Sequence, residues 1–167
     1  AAATAAAAAA AEVDPRVREL RRLLACPDTR VRSAAMRACR VGACSAGARG
    51  VDALNAARMH LLVVRSLERA EPKYLEERLQ ALKLVQRMAV AAPAAVPRTL
   101  VRSLVAVAAH RDDRLKELAL ETLRTLALLS PRVVAECGGI AAMVHAVLDS
   151  TVEPMWESLL LTLLQLC

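Results

Sequence analysis

Along most of this chain, apolar residues recur at the spacing of an α-helix. Around Leu115 the residues Leu115, Leu118, Ala119, Thr122, Leu123, Leu126 and Leu129 fall at i, i+3, i+4, i+7, i+8, i+11 and i+14. That spacing makes one wide face of a 3.6-residue helix. Lys116, Glu117, Glu121 and Arg124 take the other side, and Asp112 or Asp113 can accept from the free amides at the start. Similar periodicity predicts helices over residues 15–26, 29–44, 51–69, 75–91, 97–109, 140–148 and 154–167. Pro27-Asp28, Gly47 to Gly50, Glu71-Pro72 and Pro93 to Pro97 separate them, each too short for a domain linker. Ser130-Pro131 ends one helix and starts the next, with Ser as N-cap and Pro at the first helical position.

The helices repeat. Val31-Arg32-x-x-Ala35-Met36-x-x-Cys39 lies over Glu77-Arg78-x-x-Ala81-Leu82-x-x-Val85 and over Leu115-Lys116-x-x-Ala119-Leu120-x-x-Leu123. A weaker fourth copy puts Leu160 and Leu164 where Ala119 and Leu123 sit. Periods near 40 residues are those of HEAT and armadillo arrays, in which a lone unit cannot bury its apolar faces and neighbours must stack. The small residue of each copy, Ala35, Ala81 and Ala119, lets adjacent helices approach closely. The plainer alternative is a helical bundle whose copies match by chance. Residues 130–150 favour armadillo over HEAT: a short helix ends at Gly138-Gly139 and the chain turns sharply into another. Glycine at both positions would relieve the steric cost of positive φ at a helix C-terminus. The fold expected is all-α, an armadillo/HEAT-like α-solenoid segment of about four helical repeats over residues 12–167, with residues 1–11 a low-complexity Ala tract.

Composition agrees. The 167 residues include 36 Ala and 27 Leu, but no Phe, one Tyr and one Trp, with only five Gly and seven Pro. Strand formers and turn residues are too few for a β-sandwich or barrel. Tyr74 and Trp156 alone make no base-stacking platform. After the Ala tract the longest charge-free run is residues 137–148, well short of the roughly 20 residues that span a bilayer. Residues 1–11 lack the basic and Leu-rich regions of a signal peptide. Five cysteines without C-x-x-C spacing read as reduced thiols used as small core hydrophobes. The absence of an initiator Met and the apolar run at residues 159–167 read as a segment of a larger protein.

The net charge of +6 is confined to residues 12–69, which hold twelve Arg against six acids. Arg30, Arg37 and Arg40 share an arc opposite Val31, Ala35, Ala38 and Cys39, and Arg18 and Arg22 form a similar outer edge on the preceding helix. The plain reading is a solvated face. The functional one is a docking surface for an acidic partner, with nucleic acid or an anionic headgroup behind it. No candidate catalytic, cofactor or metal residue emerges: His60, His110 and His145 are isolated, and there is no G-x-S-x-G, H-E-x-x-H or phosphate-cradling Gly loop. Glu76-Glu77 and Asp112-Asp113 sit at helix starts, where the macrodipole favours acids.

Several stretches occur together in one order: Val51-Asp52-x-Leu54, Glu77-Arg78-x-Gln80-Ala81-Leu82-x-Leu84-Val85-x-x-Met88, Arg102-Ser103-Leu104-Val105-Ala106-Val107, Ser130-Pro131-x-Val133-Val134-Ala135-x-x-Gly138-Gly139, and Leu160-x-Thr162-Leu163-Leu164-x-Leu166. In this order they resemble the N-terminal helical-repeat region of the Rictor (pianissimo) family. The Ala tract and the Ala-rich loop at residues 91–97 depart from the pattern. The resemblance implies a non-catalytic scaffold segment of target of rapamycin complex 2, with the TOR kinase and the other subunits of that complex as partners. It also implies a cytoplasmic location, with peripheral membrane association as part of the complex. No cofactor and no nucleic acid are expected from the residues, and the resemblance carries no binding residue over. A generic armadillo adaptor and a basic nucleic-acid-binding repeat are the alternatives.

Overall fold

The computed structural model describes residues 14–110 and 113–166; they form ten α-helices joined by short turns, with no strand among the described residues. The all-α class expected from composition is the one observed. The Ala tract, Asp112 and Cys167 lie outside the described residues.

The first two helices, α1 (Pro15–Leu24) and α2 (Thr29–Ala38), each follow an Asp. Asp14 accepts the Arg16 amide at 2.8 Å and Asp28 the Arg30 amide at 2.7 Å, satisfying amides that a helix start leaves free. The helix expected to continue to residue 44 instead widens into a π-turn over Cys39–Ala43 and tightens into a 3-10 turn over Cys44–Ala46. Both Cys39 and Cys44 are buried.

The single helix expected over residues 51–69 is two, α3 (Ala48–Ala56) and α4 (Met59–Leu67), broken at Arg58 with φ 54°. On a straight helix Val51 and Leu54 would point roughly 150° away from Met59, Val63 and Leu67 at 100° per residue. The left-handed residue turns both sets into the core, where all five are buried.

Next come α5 (Leu75–Ala91), α6 (Arg98–Ala109), α7 (Lys116–Leu129), α8 (Pro131–Glu136), α9 (Gly139–Val147) and α10 (Trp156–Leu166). Pro131 opens α8 as expected, but Ser130 makes no side-chain capping bond. Its amide donates to Leu126 O at 2.6 Å, closing α7. The two glycines differ in role. Gly138 takes φ 81°, while Gly139 needs space: a Cβ there would lie 2.4 Å from Val134 Cγ1 and 3.4 Å from Leu123 Cδ2. Only the first meets the expectation of positive φ.

The packing follows a regular scheme. α1 pairs with α2, α4 with α5, α6 with α7, and α9 with α10. Between pairs, α1 meets α4, α4 meets α6 and α6 meets α9, while α2 meets α5, α5 meets α7 and α7 meets α10. Two rows of helices therefore run side by side. Ala35, Ala81 and Ala119, at 2%, 0% and 0% exposure, lie on the second row.

Placing a carboxylate at such a position leaves a charge without a partner. Ala81→Glu is expected to destabilise by several kcal/mol in a thermal melt, and an unchanged Tm would refute the inward-facing register of α5. Gly139→Ala should cost about 1–3 kcal/mol through overpacking against Val134, read from denaturant midpoints.

Candidate functional site

The cation that marks each repeated stretch is not a surface residue. Arg32, Arg78 and Lys116 are only 5%, 6% and 6% exposed, and each meets a carboxylate that arrives from further along the chain. Arg32, on α2, donates through Nε to Glu77 Oε1 at 2.8 Å and through Nη2 to Oε2 at 2.5 Å. Its Nη1 donates to Cys26 O and Pro27 O, both at 2.7 Å, so the same guanidinium closes the turn between α1 and α2. Arg78, on α5, pairs with Asp113 ahead of α7, and its Nε donates to Leu67 O, the last carbonyl of α4. Lys116, at the start of α7, pairs with Asp149, which follows α9. The three contacts form a ladder in which each second-row helix grips the region leading to the next.

Glu77 is the most heavily bonded group in this ladder. It is fully buried and receives Thr29 Oγ1 at 2.7 Å, Ser66 Oγ at 2.6 Å and Arg69 Nη1 at 3.2 Å besides Arg32. Burial pushes its carboxyl up, but the bonds from Arg32, Ser66 and Thr29 outweigh burial and hold it down at about 2. Arg69 also stacks on Tyr74, with its guanidinium 5.1 Å from the ring centroid. In the sequence Glu77 reads as a helix-start acid; the structure makes it the acceptor that joins α2, α4 and α5. The periodicity puts Lys116 on the polar side of its helix, but the structure buries it like Arg32 and Arg78; the signal that could have found Glu77 is the recurrence of a cation at 32, 78 and 116, since a buried cation demands an acid.

The five arginines singled out from charge patterning lie outside the core. Arg18, Arg22, Arg30 and Arg37 are exposed and Arg40 is half-buried. Arg22 reaches Glu19 at 3.8 Å, and Arg37 reaches Glu76 on α5 at 3.4 Å. Of the residues expected opposite them on α2, Ala35 and Cys39 are buried, Val31 is half-buried and Ala38 is exposed. Val31 and Ala38 share the edge of the helix, because the buried face is centred on Arg32, Ala35, Met36 and Cys39 and includes a cation.

The other candidate chemistry resolves into packing. Burial pushes the Cys39 thiol up to about 12 and raises that of Cys44, so neither forms a thiolate readily. Burial, then the neighbouring Arg58, lowers His60. Asp113 accepts the Leu115 amide at 2.9 Å, as expected for one of the two acids at that turn. Among the described residues no group of His, Cys, Asp and Glu could hold a metal ion, and no helix is long and apolar enough to cross a membrane.

The family described as "Rapamycin-insensitive companion of mTOR, N-term" matches residues 8–167. The chain is 30% identical to Protein pianissimo A of Dictyostelium discoideum over 152 residues, 89% of this chain and 13% of that protein. It is 29% identical to the target of rapamycin complex 2 subunit TSC11 of Saccharomyces cerevisiae, over 70% of this chain and 8% of that one. With the rapamycin-insensitive companion of mTOR of Mus musculus it shares 33% identity over 54% of this chain and 5% of that one. The chain thus spans a small fraction of the length of these relatives.

Replacing Glu77 by Gln would strand the buried Arg32 guanidinium, and a loss of about 3–5 kcal/mol is expected in denaturant unfolding. Because the folded carboxyl titrates below its usual 4.5, its contribution is complete above that value and is lost as pH falls from about 4.5 towards about 2. The Gln variant should lack that part of the acid transition. A variant losing stability in parallel with the parent across this window would contradict the assignment.

Proposed function

The chain belongs to the family of the N-terminal region of the rapamycin-insensitive companion of mTOR, and from that premise we propose that it is a non-catalytic scaffold segment of a Rictor-like subunit of target of rapamycin complex 2. Residues 12–167 act as one armadillo-like domain of about four helical repeats. Its work is to hold partners, the TOR kinase and other subunits of the complex, by protein–protein contact in the cytoplasm. The observation that carries this reading is the pairing scheme, two rows of helices in which each pair meets its sequential neighbours through like elements. Such an array grows by addition and presents long outer faces, which suits holding rather than chemistry. The yeast relative, a target of rapamycin complex 2 subunit, supplies the complex.

Arg18, Arg22, Arg30, Arg37 and Arg40 provide the docking face for an acidic partner. Their charge is largely unspent: the pairs with Glu19 and Glu76 are long and exposed, and such pairs contribute little to stability, about 0–1 kcal/mol. They are therefore available to a partner at small cost to the fold.

Affinity purification of the whole protein followed by mass spectrometry should recover a TOR-type kinase, and its absence would remove the assignment to this complex. Reversing Arg18, Arg30 and Arg37 to Glu together should leave the Tm within a few degrees while reducing recovery of that kinase complex about tenfold or more. Undiminished recovery would make these arginines plain solvated surface.

A further inference from the structure

Between the end of α1, the middle of α4 and Tyr74 lies a cavity of about 360 Å³, walled by Leu24 and Leu62 and lined by Arg32, Arg65, Arg69 and Tyr74. We propose that this cavity is a binding site for a small phosphate monoester.

Charge is the first reason. Three guanidinium groups line the cavity and no carboxylate does. Glu77, behind it, is shared by Arg32 and Arg69 and offsets one of the three charges. Lys73, beside Tyr74, is matched by Glu71 at 2.7 Å. Glu68, the acid closest in sequence to Arg65 and Arg69, lines a different cavity, with Val64 and Arg102. A surplus of about two positive charges remains, and a phosphate monoester carries about −1.5 to −2 near neutral pH.

Donor geometry is the second. Arg65, within α4, and Arg69, two residues past its end, both line the cavity. Arg65 has no hydrogen-bond or ion-pair partner among the described residues, whereas Arg69 spends Nη1 on Glu77 and keeps Nε and Nη2 for a ligand. Arg69 is held in place by Glu77 and by the Tyr74 ring, so its free donors are oriented before any ligand arrives, the arrangement that planar guanidinium groups use for phosphate. The Cys26 and Pro27 carbonyls, which would repel an anion, are already taken by Arg32 Nη1. The third reason is size. The volume is at the lower end of the roughly 300–1,000 Å³ typical of small-molecule sites, and Leu24 and Leu62 give an organic body an apolar wall.

The test is calorimetric titration of the whole protein with O-phospho-L-serine, with L-serine as the uncharged-side-chain comparison, at about 50 mM salt. Phosphoserine should bind at one site and L-serine should not. Arg65→Glu should weaken phosphoserine at least tenfold. Arg49→Glu, the same charge change on an exposed residue outside the cavity, should alter it less than twofold. Bound phosphoserine should also raise the Tm of the parent but not of Arg65→Glu. No binding by the parent, equal binding of serine, or equal losses in the two variants would overturn the proposal.

Discussion

A positive charge buried between helices must be answered by an acid, and that requirement orders this molecule. Packing of Ala, Leu and Val supplies the cohesion, but such surfaces tolerate sliding, because one apolar side chain fills a gap much as another does. A guanidinium does not tolerate it. Desolvating the charge costs several kcal/mol unless geometry and partner are both right. Arg32 therefore has one acceptable seat, at Glu77, and Arg78 one at Asp113. Since the acid lies in the next part of the chain each time, satisfying the charge fixes how consecutive helix pairs meet. The net stabilisation of such pairs is small; their effect is on register.

The same logic divides the arginines of the basic first third. Arg32 and Arg69 turn inward and converge on Glu77, whereas Arg18, Arg22, Arg30 and Arg37 stay in solvent. Inward cations set how the helix pairs meet, and the outward ones are those proposed above as a docking face. A scaffold needs both properties at once: a face is useful for docking only if the helices displaying it keep their relative positions.

Much of this is legible in the sequence. The all-α class, the small buried residues at 35, 81 and 119 and the equivalence of positions 32, 78 and 116 all follow from periodicity. Three things are not. The break at Arg58 carries no Gly or Pro, and Arg is a good helix former; the only clue is that the apolar positions on either side of it point to different faces. The π-turn at Cys39–Ala43 is a winding change that periodicity over a short window does not resolve. The acids of the ladder are hidden by their location at helix starts, where a capping role is the simpler account. Each cation pairs across 33 to 45 residues, a distance no local pattern spans. The proposed docking face comes from charge counts, and the cavity at Tyr74 from neither pattern nor counts, because it exists only once α1 and α4 meet.

The central claim is that buried ion pairs couple consecutive helix pairs, and a double-mutant cycle on Arg78 and Asp113 tests it most directly. Arg78→Met and Asp113→Leu would be made singly and together, and unfolding free energies measured in denaturant. Coupling predicts that each single change is costly and that the double variant is at least about 1 kcal/mol more stable than the sum of the two losses implies. Strictly additive losses would contradict it, and would mean that the two side chains share a place in the fold without reading one another.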